Sequence, residues 1–426
     1  MQSVKFLTLG CKVNQYDTQL IREQFLRAGF KEVSRKAQAD ICIINTCTVT
    51  HKADADSLNF IRRAKRENAK GKVVVTGCLS ERDADIIKKT FSADLLVKNK
   101  DKYRISGIVL DRYCRQSPEN NSSFPAGISF FQGHTRAFLK VQDGCNNFCS
   151  YCKIPLVRGL SRSRDKEEIL LEAKRLAQNG FSEIVLTGIC LGDYGKDLKN
   201  GIDLTGLIAG LEKIDGLSRI RLSSIEAKDV TSALVKRMRA SKKVCKHLHI
   251  PLQSGDNAIL KKMNRHYKVA GFIGLIKRIR ENIPGIAITT DVLVGFPGES
   301  EINFLNTVKL IKKVLPLKTH IFPYSPRPGT HAATLFGIIP AQMMNKRLAY
   351  LNQVSQTCRE KYMRGFLGKR MTVLIEDKVV SCLGYWQGYT DNYMRVIVRS
   401  KKDLRKRMVT VKLAKLSGDS FKANFR

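Results

Sequence analysis

The chain has 426 residues, with 75 lysines and arginines against 38 aspartates and glutamates, a net charge of +37. A hydrophobic share of 43% excludes a wholly disordered basic protein, and no apolar run reaches the roughly 18 residues that span a bilayer. The opening MQSVKFLTLGC shows no secretory leader, so the expectation is a cytoplasmic globular protein, no membrane association, and a polyanionic partner, nucleic acid first. A generally basic proteome would produce the same charge. The excess is spread along the chain: +9 over 1–120, +19 over 121–364 and +9 over the short 365–426, which is the densest part.

In chain order, residues 1–115 alternate strand and helix. Apolar runs VKFLTLGC, ADICIINTC and KVVVTGC each precede a helical stretch, over about 14–29, 52–68 and 80–91. This pattern predicts an α/β domain with a mainly parallel sheet. Cys11, Cys47 and Cys78 each close one of these runs, and Gly10 and Gly77 precede two of them, permitting a tight strand-to-helix turn. Loops at the carboxyl ends of parallel strands share one rim, so the three thiols would converge into a metal or cluster site. The alternative is three partly buried core cysteines, which suits the mid-strand Cys42 better than these.

A polar stretch over 116–130 reads as a linker. Six further strand-like runs follow within 131–362: RAFLKVQ, EIVLTGI, RIRLSSI, KHLHIPL, IAITTDVLVG and KTHIFPY. Amphipathic stretches separate them, which predicts a partial (βα)6 barrel with its chemistry at the carboxyl ends of the strands. Cys145, Cys149 and Cys152 follow the first of these strands in the spacing C-x3-C-x2-C. A zinc site would need a fourth ligand such as His134, and a redox pair would leave Cys145 unexplained. Three thiolates fit a [4Fe–4S] cluster with one iron open to a small molecule.

The segment 365–426 turns to short strands of period two and predicts a small β-barrel. Trp386, Tyr389 and Tyr393 alternate there with basic residues such as Arg395, a composition suited to stacked bases on a charged backbone. The plainer reading is that half of these aromatics fill a small core.

CNNFCSYC on the first strand of a six-strand βα array resembles the radical S-adenosylmethionine (SAM) enzymes. With the upstream three-cysteine domain and the terminal barrel, the whole chain resembles the methylthiotransferases, which combine an amino-terminal cluster domain, a radical SAM core and a TRAM RNA-binding domain. TLGCKVNQYDT, NTCTVT, RGLSRSR, RIRLSSIEA, HLHIPLQSG, DVLVGFPGE and GYTDNYMRV are similar to the MtaB branch. Gly10-Cys11-Lys12-Val13-Asn14 stands where the isopentenyladenosine branch reads GCQMN.

That branch converts N6-threonylcarbamoyladenosine at tRNA position 37 to its 2-methylthio derivative. The resemblance implies a SAM-cleaving [4Fe–4S] cluster on Cys145, Cys149 and Cys152, and a second [4Fe–4S] cluster on Cys11, Cys47 and Cys78 that carries or supplies sulfur. It implies SAM contacts from Tyr151, Glu226, Gln253, Asp291, Gly295 and Phe296. Arg158, Arg162 and Arg164 are expected to meet tRNA phosphate. The implied partners are the tRNA, an electron donor such as flavodoxin or ferredoxin, and a sulfur donor. Two other readings are a methylthiotransferase for isopentenyladenosine or a ribosomal protein, and a non-catalytic Fe–S or zinc RNA-binding protein.

Overall fold

The computed structural model describes residues 2–82, 84, 87, 93–114, 127–199, 201–380 and 382–425. Strands β1 (Ser3–Thr8), β2 (Lys31–Glu32), β3 (Ile41–Thr46), β4 (Lys72–Gly77) and β5 (Leu95–Leu96) form one parallel sheet in the order β2-β1-β3-β4-β5. Helices α1 (Lys12–Arg27), α2 (His51–Glu67), α3 (Cys78–Arg82) and α4 (Ile105–Tyr113) accompany it. Only part of the helix expected over 80–91 lies within the described residues.

β3 alternates between two cores because successive side chains face opposite sides of a sheet. Ile41 and Ile43 pack with Phe6, Ile21 and Phe25 on one face, and Cys42 and Ile44 pack with Ile61 and Ala64 on the other. The chain winds outward in both directions from the β1–β3 boundary, the switch point at which ligands bind in such sheets. Cys11 and Cys47 stand at the carboxyl ends of those two strands.

Of the linker expected over 116–130, residues up to 126 lie outside the described part. Gly127 and Ile128 are buried: Ile128 lies in the core of the next unit and its N–H donates to Glu172 at 3.0 Å, whereas Phe130 is exposed. Six parallel strands follow. These are β6 (Ala137–Lys140), β9 (Glu183–Thr187), β10 (Arg219–Leu222), β11 (His247–His249), β12 (Ala287–Val294) and β13 (Lys318–Pro323). They form two three-stranded sheets, joined by parallel bridges between Ile220 and Val244 and between Ser224 and His249. Each coincides with one of the six runs read from the sequence. Short antiparallel strands β7 (Gln142–Asp143) and β8 (Arg162–Ser163) pinch the base of the cysteine loop, which also contains α5 (Ile154–Arg158). The outer layer is α6 (Lys166–Gln178), α7 (Leu204–Leu211), α8 (Ser232–Ala240), α9 (Asn257–Lys262), α10 (Val269–Asn282) and α11 (Glu301–Val314).

The sequence reading assigns no element to α12 (Ala341–Arg364), a 24-residue helix. It buries Arg347, Leu351, Val354, Ser355 and Cys358 along one face and leads into the terminal barrel. There β14 (Arg370–Lys378), β15 (Tyr385–Thr390), β16 (Arg395–Arg399), β17 (Met408–Ser417) and β18 (Ser420–Asn424) close in the order β14-β15-β16-β18-β17, consistent with the TRAM fold.

This barrel docks on the inside of the strand arc through buried arginines. Glu183 on β9 holds Arg221 at 2.7 Å and Arg219 at 3.5 Å. Those guanidiniums donate to the carbonyls of Thr372, Tyr389, Thr390 and Asp391 in the barrel. Arg136 adds an ion pair to Glu376 at 2.6 Å. Charges buried this way are tolerated because every one is paired or hydrogen-bonded. Among the described residues no helix is long and apolar enough to cross a membrane.

Candidate active site

The three upstream cysteines gather on one rim. Gly10 and Gly77 both have positive φ, +98° and +100°, and a side chain at Gly10 would stand 2.8 Å from the Cys47 sulfur. Asn14 ties the β1 and β3 ends together, donating to Leu9 O at 2.8 Å and Thr46 O at 2.9 Å. Arg327, from the turn after β13, holds the Cys47 loop through Thr48 and through Asp54 at 2.5 Å. Burial pushes the Cys47 thiol up to about 12, and Cys11 and Cys78 push it the same way. Burial also raises Cys78, against the pull of Arg158. Thiols this buried ionise only against a positive partner, which is what a metal centre supplies.

Under this rim lies a buried ionic network joining the first sheet to the barrel. Asp17 binds Lys102, and Lys140 at 2.9 Å; Asp143 binds Lys140 at 2.5 Å and Arg158 at 2.8 Å. Arg158 also donates to Asn14 and lies 3.7 Å from Asp17. Three cations therefore meet two carboxylates. The surplus positive charge faces Cys78 and Cys11, and Arg158 feels both thiols. A buried cation in excess favours an anion beside it, and thiolates are the anions this rim offers. The donor set thus fits an iron–sulfur group.

The second cysteine group occupies the loop after β6. Ser150 anchors this loop to the end of α9, its N–H donating to Met263 O at 3.1 Å and its hydroxyl to Lys262 O at 2.8 Å. Three donors already point at sulfur. Asn147 N–H lies 3.5 Å from Cys145 Sγ, Arg265 lies 3.3 Å from Cys149 Sγ, and the Cys190 thiol holds Cys145 down to about 7. Burial raises Cys152 to about 12. Three thiols on one short loop, served by N–H donors, suit a [4Fe–4S] cluster. Cys190 is a direct neighbour of this group, and Asn147 Nδ2 reaches its sulfur at 3.5 Å. His134 is not: its ring packs on Phe131 and Phe138, with centroids 4.8 and 5.8 Å away.

The residues expected around SAM divide. Tyr151 and Phe296 share one apolar cluster with Met263 and Tyr324. Gly295, at φ +77°, donates to Glu299 at 2.8 Å. Glu226 pairs with Arg265, the same guanidinium that touches Cys149. Gln253 takes a left-handed φ of 64° and bridges to Val292. Asp291 stands apart, bonded to His249 at 3.1 Å with His320 beside it.

Those last three line a cavity of about 850 Å³ between the three parts of the chain. Gly10, Cys11 and Lys12 come from the first sheet, Ser223, His247, His249 and Asp291 from the strand arc, and Tyr389, Tyr393 and Arg395 from the terminal barrel. Tyr389 and Tyr393 lie with ring centroids 5.1 Å apart, and Arg221 sits 4.6 Å over Tyr393.

Several expected tRNA contacts are corrected. Arg158 is buried in the network described above. Arg164 is committed to Glu172 at 2.7 Å and Tyr16 at 3.0 Å. Arg158 is withdrawn from solvent and cannot reach a phosphate, Arg164 is half-buried with its guanidinium already held, and Arg162 alone is exposed. Trp386 is only 2% exposed and bonds Ser400 O at 3.2 Å, so it is a core residue of the barrel and not a stacking platform. Arg395 is held by Gln387 at 2.6 Å and Asp419 at 3.4 Å. Arg265 escapes the sequence reading because no quoted motif contains it, while His249, His320, Arg219 and Arg221 lie inside quoted runs whose pattern assigns them no role.

Comparison with known proteins gives this geometry its class. Residues 139–311 match the radical SAM superfamily, and residues 3–98 match the family described as uncharacterized protein family UPF0004. The fold resembles that of the radical S-adenosylmethionine methyltransferase TsrM from Kitasatospora setae, with a TM-score of 0.55 over 78% of this chain and 77% of that one, at 13% identity.

The chain is 38% identical to the threonylcarbamoyladenosine tRNA methylthiotransferase MtaB of Bacillus subtilis, over 97% of this chain and 94% of the relative. It is 41% identical to the protein of the same name from Chlamydia pneumoniae, over 87% and 86%. It is 35% identical to the tRNA-2-methylthio-N(6)-dimethylallyladenosine synthase of Acetivibrio thermocellus, over 87% and 79%. The chain belongs to the radical SAM methylthiotransferase family.

Proposed function

We propose that this protein methylthiolates C2 of N6-threonylcarbamoyladenosine at position 37 of tRNA, with SAM as both radical source and methyl donor. The observation that carries this reading is the cavity in which Cys11, the inner face of the strand arc and the tyrosines of the terminal barrel meet. It offers one adenosine side-by-side access to a thiol rim and to aromatic surfaces. Relatives named for threonylcarbamoyladenosine share 35–41% identity, against 32–35% for those named for dimethylallyladenosine, which supports this substrate over its competitor.

In this reading Cys145, Cys149 and Cys152 hold the SAM-binding [4Fe–4S] cluster, and Cys11, Cys47 and Cys78 hold a second one. When bound, these groups supply the radical and sulfur chemistry that an unactivated C2–H requires. The chain's own residues do the positioning. Arg265 fixes Cys149 and Glu226 together, and Tyr151 and Phe296 give SAM's adenine an apolar wall. Tyr389 and Tyr393 face the nucleoside across the cavity.

Residues 1–115 carry the sulfur site, 131–362 the SAM site, and 365–426 grip the tRNA, with Arg162 on the open surface. Cytoplasmic partners, a flavodoxin or ferredoxin and a sulfur donor, sustain turnover. The test is an anaerobic assay with SAM and a reductant on tRNAs carrying either modified adenosine. Methylthiolation of the threonylcarbamoyl form is expected. Selective turnover of the isopentenyl form, or about one zinc and no sulfide per chain, would overturn the reading.

A further inference from the structure

Three cations in the cavity lining, Lys12, Lys318 and Arg359, show no ion pair among the described residues, and of these Lys12 alone follows a cysteine of the rim. Arg136 and Arg221 are committed to Glu376 and Glu183 and to barrel carbonyls, and Arg395 to Gln387 and Asp419. Lys318 and Arg359 stand near Leu317 and Met363, at the amino end of β13. Lys12 lines the cavity directly after Cys11 and is exposed to it. Among the described residues no ion pair or hydrogen bond of its side chain is seen, and it shares the cavity lining with His247, His320 and Tyr393. It is also the first residue of α1, a 16-residue helix with no side-chain cap and no acidic residue in its first turn. That end presents unpaired N–H groups and a positive dipole to the same space.

The substrate in the reading above carries an anion that its competitor lacks. The threonyl group on N6 ends in a carboxylate, whereas an isopentenyl group is neutral. A carboxylate taken into a cavity needs a cation or a set of donors. C2 of adenine and C6, the carbon that carries N6, flank the same ring nitrogen. A group that holds the N6 substituent must therefore lie close to where sulfur reaches C2, and the residue after Cys11 does.

We propose that Lys12 binds the carboxylate of the substrate's N6 side chain and so selects threonylcarbamoyladenosine over adenosines with a neutral N6 substituent. This rests on the function proposed above. Lys12 acts on the substrate's side chain and takes no part in the chemical step.

The test compares two anticodon stem-loops, one carrying threonylcarbamoyladenosine and one carrying its methyl ester, in equilibrium binding and in kcat/KM. The wild-type protein should prefer the acid by about tenfold to hundredfold, the range of one charge-assisted bond. Lys12→Gln should bind both alike, at the level of the wild-type protein with the ester, and keep its iron content. Lys12→Arg should restore part of the preference. Equal handling of acid and ester by the wild-type protein overturns the role of Lys12 while leaving the function intact. A preference that survives in Lys12→Gln assigns the carboxylate to another cation and overturns it too. Failure of the wild-type protein to methylthiolate either stem-loop strikes the functional reading instead. The wild-type comparison holds even if a variant folds poorly.

Discussion

Replacing Arg158 separates two roles for it. The guanidinium is fully buried, makes two bonds to Asp143 at 2.8 and 3.1 Å, donates to Asn14, and lies 3.7 Å from Asp17. Removing one partner of a buried ion pair costs about 3–5 kcal/mol. Asp143 keeps Lys140, and Asp17 keeps both lysines, so neither carboxylate is stranded and Arg158→Met should fall near the lower end, about 3 kcal/mol. The larger effect is local. The variant removes the surplus cation beneath Cys11 and Cys78, so iron should fall from about eight to about four per chain in anaerobically prepared protein. The assay is iron and sulfide analysis beside urea unfolding. Full iron and an unchanged unfolding midpoint, with weaker tRNA binding, would refute the buried-network account and return Arg158 to a phosphate contact.

Other outcomes follow from the same contacts. Gly10→Ala forces a side chain into a left-handed turn against Cys47; it should cost about 1–3 kcal/mol locally and lower iron content without altering the terminal barrel, measured by iron analysis and circular dichroism. Trp386→Ala should destabilise the barrel by about 3–5 kcal/mol, whereas Tyr389→Ala should weaken tRNA binding with little change in melting; equal effects of the two would contradict their placement. Burial, only partly offset by Asp291, pushes the His320 imidazole down to about 4. The unfolded chain then binds one more proton between about 4 and the ordinary 6.5, so stability should fall as pH drops through that window. His320→Gln should flatten this slope in urea melts at successive pH values; an unchanged slope would assign it to another group.

What the sequence made legible was local. A strand ending in cysteine carries its own signal, an apolar run closed by the thiol, with a glycine before it at Cys11 and Cys78, so Cys11, Cys47 and Cys78 could be placed on one rim from pattern alone. The six runs of the barrel were legible for the same reason. Strand order was not, because two-residue edge strands such as β2 and β5 carry no periodicity, and with the order went the switch point that brings Cys11 beside Cys47. Arginine roles were misread where burial decides them. Arg158 meets Asn14 across 144 positions, and Lys140 meets Asp17 across 123. No window along the chain contains both members of such a pair. Trp386 was misread because an aromatic in an alternating strand points inward or outward by register, and register is set by partners elsewhere. Lys12 was visible as a difference in a motif, but its meaning needed the cavity.

The most direct measurement is nucleoside mass spectrometry of tRNA from a strain lacking this gene. The account predicts loss of 2-methylthio-N6-threonylcarbamoyladenosine with its unmethylthiolated precursor accumulating, and restoration by the wild-type gene but not by one encoding Cys145→Ala. Loss of the isopentenyl derivative instead, with the threonylcarbamoyl derivative intact, would contradict it.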